Sequence, residues 1–252
     1  MFITIHLDNK DYKINLKEGI DLSIPNNFDG SSPIFFDGKS PQINPAESNN
    51  FIGSIKEGGS CNVPIAKVDI HCSGTHTECI GHIDNSGIKI SDIIPNKFLL
   101  SQLITVNTVQ KFSIDESYHV ECNNDLVISV ESIRDKIYNN IKALIIRTNP
   151  NNSDKLERNY NLHPAPFLTR ETIDYLIEKK IEHLLVDLPS IDRADDDGKL
   201  NNHHRFFNFG KTISELLFIP EYIKDGIGFT QIQIPNWGID AAPSRPIFYP
   251  IS

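Results

Sequence analysis

The chain has 252 residues, 39% of them hydrophobic, and carries 24 Lys and Arg against 33 Asp and Glu, a net charge of −9. This acidic balance, without a basic stripe, excludes a nucleic-acid surface and an anionic-membrane surface, because both need clustered Lys and Arg. No apolar run approaches the roughly 18 residues that span a bilayer, and the N-terminal MFITIHLDNKDYKINL has charges where a signal peptide needs its apolar core, so a soluble, cytoplasmic protein is expected.

Residues 2–16 predict a hairpin. Ile3, Ile5 and Leu7 alternate with polar residues, Asp8-Asn9-Lys10-Asp11 supplies the turn, and Tyr12, Ile14 and Leu16 alternate back. Residues 20–60, rich in Pro, Gly, Ser and Asn, read as a long connection. Val63–Ile70 reads as a strand with a bulge that runs into a His/Cys-rich segment, and Phe98–Val109 as another strand. IKALIIRT (141–148) is a continuous apolar run, as expected of a strand buried on both faces. Thr169 caps a helix over RETIDYLIEKK, and His183–Leu188 is the next buried strand. That order implies a βαβ crossover and a partly parallel sheet. Thr230–Ile234 alternates again, and Trp237–Ser252 reads as a closing Pro-rich loop. The whole is expected to be α/β, with an N-terminal hairpin (1–17) and one further domain (18–252).

Cys61, Cys72, Cys79 and Cys122 are too few and too irregularly spaced for a disulfide scaffold or a zinc ribbon. Chemistry concentrates instead in HCSGTHTECIGH (71–82). In an extended chain, residues two apart share a side, so Cys72, His76, Glu78 and His82 project onto one face. A helix fails this test, since Glu78 would lie about 200° from His76. Thiolate, imidazole and carboxylate are donors that a divalent metal accepts, zinc above all. By the same parity Cys79 and His71 point the other way and read as structural. The bland alternative is a surface loop with scattered polar residues, against which the shared parity weighs.

A second cluster, HHRFFNFGKTISE (203–215), places Glu215 in an apolar stretch. A carboxylate there is costly to bury without a cation or donors; the alternative is a solvent-facing Glu on a half-buried element. The run Asp195-Asp196-Asp197 lacks calcium-loop spacing and reads as a solvated turn.

Together these residues resemble the metal-dependent cyclase superfamily, which includes bacterial kynurenine formamidase and isatin hydrolase. The family motif His-x-Gly-Thr-His-x-Asp-x-Pro-x-His is matched here at Gly74, Thr75, His76 and His82, with Cys72 and Glu78 in place of the first His and the Asp. DLPSIDRADDDGKLNNHH (187–204) is similar to the family's Asp-x-Pro-Ser-x-Asp loop and His-His pair, and Pro243-Ser244-Arg245 to its closing Pro-x-Arg. The resemblance implies a swivelling β/β/α fold with a central mixed sheet and a site for one or two metals. By position, Cys72, His76 and Glu78 hold one ion, and Glu78 bridges to a second held by His203 and Glu215. His82 is the acid/base. Zinc is implied before manganese, thiolate being the softer donor. The implied reaction is hydrolysis of a small-molecule amide C–N bond, as of N-formylkynurenine in tryptophan catabolism, by a homo-oligomeric enzyme. A divalent metal lowers the pKa of its water from about 15.7 to about 7, which suits that reaction. Phe35, Phe36 and Trp237 are candidates to stack on an aromatic substrate. A non-catalytic metal- or ligand-binding member of the same fold is the alternative.

Overall fold

The computed structural model describes residues 1–94 and 97–251. The strands are β1 (Phe2–Leu7), β2 (Lys10–Asn15), β3 (Ile20–Asp21), β4 (Gln42–Pro45), β5 (Glu47–Ser48), β6 (Phe51–Ile52), β7 (Pro64–Lys67), β8 (His76–Glu78) and β9 (Leu99–Asn107). They continue with β10 (Val109–Gln110), β11 (Leu126–Ile128), β12 (Ala143–Asn149), β13 (Phe167–Leu168), β14 (His183–Val186), β15 (Thr212–Glu215), β16 (Gly226–Gln233), β17 (Ala241–Pro243) and β18 (Arg245–Pro250). The α-helices are α1 (Ile90–Ile93), α2 (Val130–Ile133), α3 (Arg170–Glu178) and α4 (Asn201–Phe207). Among the described residues, no helix is long and apolar enough to cross a membrane.

A nine-stranded mixed sheet in the order β17-β8-β15-β14-β12-β9-β16-β18-β3 forms the centre of this α/β fold. Its four middle strands, β15, β14, β12 and β9, run parallel, and the flanks are antiparallel. On β12, Leu144 and Ile146 enter one apolar cluster while Ala143 and Ile145 enter the other, so this strand is buried on both faces as its apolar run predicts. Thr169 caps α3 by accepting a hydrogen bond from the Thr172 amide, and Ile173 and Leu176 bury the helix against the first cluster. The passage β12–α3–β14 is thus the expected parallel crossover.

β1 and β2 pair in register across a two-residue turn whose Asp8 and Asn9 have positive φ, a conformation that short polar side chains tolerate. Ile3, Ile5 and Leu7 lay this hairpin on the first cluster. Three readings need correction. β7 covers only Pro64–Lys67 and pairs with β4, so the strand expected over Val63–Ile70 stops short of the His/Cys segment. The C-terminal stretch is not loop alone, since β17 pairs with β8 and β18 pairs with β16. Pro246 and Pro250 lie outside the two residues that pair with β3, the edge positions at which a missing N–H costs least. Asp196 is buried, not solvated: it accepts the Lys199 and Leu200 amides and so shapes the loop leading into α4.

Candidate metal centre

β8 is squeezed between β15 and β17, with His76 opposite Glu215 and Glu78 opposite Ile213. Directly opposed residues of an antiparallel pair share a face, so His76, Glu78 and Glu215 converge on one side of the sheet. The Thr75 side chain holds the entry to β8: it donates to the Leu216 carbonyl and accepts the Ile24 amide. α4 delivers His203 to the same side.

Four side chains meet there, all at most 3% exposed. His203 Nε2 lies 3.0 Å from Glu78 Oε1 and 3.5 Å from Glu215 Oε1, and His76 Nε2 lies 3.7 Å from Glu215 Oε2. Their outer atoms are fixed from behind. His76 Nδ1 is 3.0 Å from the Gly74 carbonyl, and His203 Nδ1 is 2.7 Å from Asp192 Oδ2, so both Nε2 atoms face inward. Asp192 is itself held by the Tyr118 hydroxyl and by the Asn202 and His203 amides. The Ile191 amide donates to Glu215 Oε1 at 2.8 Å.

At the mouth, His71 Nδ1 lies 3.1 Å from Glu78 Oε2, and His82 Nε2 lies 3.8 Å from the same oxygen. The two rings stack at 4.2 Å, and both face Asp240 Oδ2, at 3.1 Å from His71 Nε2 and 3.6 Å from His82 Nδ1. A cavity of about 190 Å³ opens on this cluster, walled by Phe35, Phe36, Pro189 and Leu200.

The charges here are under tension. Burial, then the charge of Glu78, pushes the Glu215 carboxyl up to about 7. Burial opposes ionisation of Glu78 as well, but His203, His71 and His82 outweigh it and hold its pKa well below the usual carboxylate range. Burial, then the neighbouring His71 charge, pulls His76 down to about 4. For His71 burial is outweighed by Asp240 and Glu78, and its pKa rises to about 10. Burial lowers His82, with Glu78 only partly offsetting it.

Two atoms in the centre of the cluster, His76 Nε2 and Glu78 Oε1, are buried without a hydrogen-bond partner. Such groups are costly to leave unpaired. Glu78, His203 and Glu215 offer donor atoms within 4.8 Å of one another, and His71, Glu78 and His82 do the same; His76 belongs to neither group and reaches the centre through its 3.7 Å approach to Glu215. Two adjacent donor groups sharing the Glu78 carboxylate, with the partnerless His76 Nε2 facing into them, fit a divalent cation.

His76, Glu78, His203, Glu215 and His82 are therefore brought together. Cys72 lines the cavity, yet its sulfur joins neither donor group; burial, then Asp69, pushes its thiol up to about 12. His71 stands there instead. The two-residue alternation holds only over His76–Glu78: residues 70–72 form a turn, and Ile80–His82 form a 3-10 helix that swings His82 back toward Glu78. Asp192 and Asp240 are site residues that the sequence reading missed. Asp192 lies in the DLPSID segment already noted for its resemblance, whereas nothing local in the sequence marks Asp240. Phe35 and Phe36 line the cavity; Trp237 does not. Arg245 pairs with the exposed Asp21.

Comparison with known proteins places the chain in a family. The family described as "Putative cyclase" matches residues 20–193. The chain belongs to the cyclase family. Kynurenine formamidase of Bacillus cereus is 29% identical over 203 residues, covering 79% of this chain and 85% of its own length. That of Bacillus anthracis is 27% identical over 209 residues, covering 81% and 88%. Among solved structures, an isatin hydrolase bound to the product analogue thioisatinate superposes with a TM-score of 0.64 at 14% identity, covering 93% of each chain. A chain described as a "predicted metal-dependent hydrolase" from Bacillus stearothermophilus gives 0.62 at 17% identity, covering 92% and 97%. The cyclase-family member described here is a hydrolase.

Proposed function

We propose that this cyclase-family hydrolase uses a divalent cation, zinc or manganese, to cleave the C–N bond of a small amide, with N-formylkynurenine or a cyclic amide such as isatin as the substrate class. The observation that carries the reading is the buried, partnerless His76 Nε2 beside the Glu215 carboxylate, with Glu78 Oε1 and His203 Nε2 3.0 Å apart next to it and no aligned hydrogen bond on that oxygen. His76, Glu78, His203 and Glu215 would hold the cation, with His71 in the place expected of Cys72. With nitrogen and oxygen donors alone, the preference for zinc that a thiolate would bring disappears. A bound cation lowers the pKa of its water and polarises the scissile carbonyl.

The chain's own side chains supply the rest. Phe35, Phe36 and Leu200 give the cavity apolar walls that hold a ring and exclude water. His82, a quarter exposed at the mouth and neutral at pH 7, would take a proton from the attacking water and return it to the leaving nitrogen. Asp240 holds the neighbouring His71 ring, on which His82 stacks. The relatives named for a substrate, kynurenine formamidase and isatin hydrolase, support an amide of this class.

The test is an assay of N-formylkynurenine and isatin with protein stripped of metal and then reloaded with zinc or manganese. Turnover of one of them by the reloaded protein only is expected. Absence of turnover with any small formamide or cyclic amide, metal being bound, would favour the non-catalytic binder instead.

A further inference from the structure

On the face of the sheet opposite the ligands, four polar side chains form one buried line. His183, the first residue of β14, has Nδ1 2.6 Å from Thr212 Oγ1 and Nε2 2.8 Å from Ser214 Oγ. Ser214 Oγ in turn lies 2.6 Å from Thr77 Oγ1. All four residues are buried. Alternation along each strand puts Thr77 between His76 and Glu78, and puts Ser214 next to Glu215, so the line runs directly behind the ligand-bearing residues. It also crosses three adjacent strands, since His183 pairs with Thr212 and Ser214 with Thr77 in the backbone register.

Burial alone lowers the His183 pKa, to about 3, so the ring is neutral, with one nitrogen donating and the other accepting. Every heteroatom of the ring is thus matched to a hydroxyl. A one-residue slip of β8 would carry Thr77 to the ligand side and leave Ser214 without its partner. A buried polar line of this kind penalises the wrong register more than an apolar patch would.

We propose that His183 is a positioning residue for the metal centre, an inference that rests on the metal-binding reading above. Through Thr212, Ser214 and Thr77 it clamps β14, β15 and β8 at the register that sets His76, Glu78 and Glu215 around one cation.

The experiment is a cobalt(II) titration of the full chain, with affinity read by chelator competition and coordination by the visible absorption bands, alongside thermal melting of the metal-free protein. His183→Leu and Thr77→Val should each weaken cobalt binding about tenfold or more and change the bands, as loss of a ligand-orienting partner does. The double variant should be little weaker than the worse single one, because both cut the same line. His183→Gln, whose amide donates and accepts, should recover part of the loss. If both single variants melt earlier but bind cobalt within about twofold of the parent with unaltered bands, the line serves stability only and the proposal is overturned. Should His183→Leu fail to fold, Thr77→Val carries the same decision. A parent chain that binds no cobalt would instead overturn the metal reading, and this inference with it.

Discussion

His76 and Glu215 face each other across the β8–β15 ladder, with Nε2 and Oε2 3.7 Å apart and both side chains buried. That separation is longer than a hydrogen bond. It leaves the imidazole nitrogen without a partner beside a carboxylate that burial and Glu78 have pushed up to about 7. The arrangement is poor as a neutral core and well suited to a shared cation.

One consequence concerns stability without metal. The folded-state pKa of Glu215 lies above its unfolded value, so its ionisation favours unfolding; its contribution is fully present below about pH 4.5 and is lost as pH rises through about 7. Glu215→Gln should therefore stabilise the metal-free protein at pH 8, by on the order of 1–3 kcal/mol, while abolishing tight metal binding. Denaturant unfolding with and without metal measures both effects. A variant less stable than the parent at pH 8 in chelator would contradict this reading.

Metal uptake should release protons. Glu215, with a pKa of about 7, and His71, at about 10, are partly or wholly protonated near neutral pH in the metal-free protein. A cation must displace those protons, so apparent affinity should climb as pH rises from 6 to 8. Calorimetry in buffers of different ionisation heat counts the protons released; an affinity flat across that range would remove the coupling.

His71 and Cys72 offer opposed expectations. His71→Ala should cost at least 10- to 100-fold in metal affinity, about the range for loss of a group that merely orients a ligand. Cys72→Ser should leave affinity within about twofold, since the thiol joins neither donor group. The reverse pattern would restore Cys72 to the ligand set.

His82→Ala should lower kcat by about 10²-fold or more, the usual contribution of a positioned acid/base, and leave metal content unchanged. Loss of metal in that variant would make His82 a ligand rather than a proton carrier.

Much of this architecture was legible in the sequence wherever one pattern served one environment. IKALIIRT read as a strand covered on both faces, and Thr169 offered the cap that α3 uses. Glu215 stood out because an isolated carboxylate among Ile213, Leu216 and Leu217 demands compensation, and the structure buries it beside His203. The alternation rule failed where the chain stopped being extended. A turn at 70–72 brings His71 toward Glu78, and a 3-10 helix does the same for His82, which no parity argument could foresee. Asp240 enters the site from a strand end more than 150 residues away, through pairing of β17 with β8, and local sequence carries no trace of that. The prolines of the C-terminal stretch argued against strands, yet edge positions accommodate them.

The most direct test is anomalous diffraction from crystals of the metal-loaded protein, collected on either side of the zinc or manganese absorption edge. The account predicts a peak within about 2.0–2.2 Å of His76 Nε2 and of the nearest Glu78 and Glu215 oxygens, ordinary ligand distances for such ions. A loaded crystal with no anomalous density between those side chains, or with its only metal elsewhere, would contradict it.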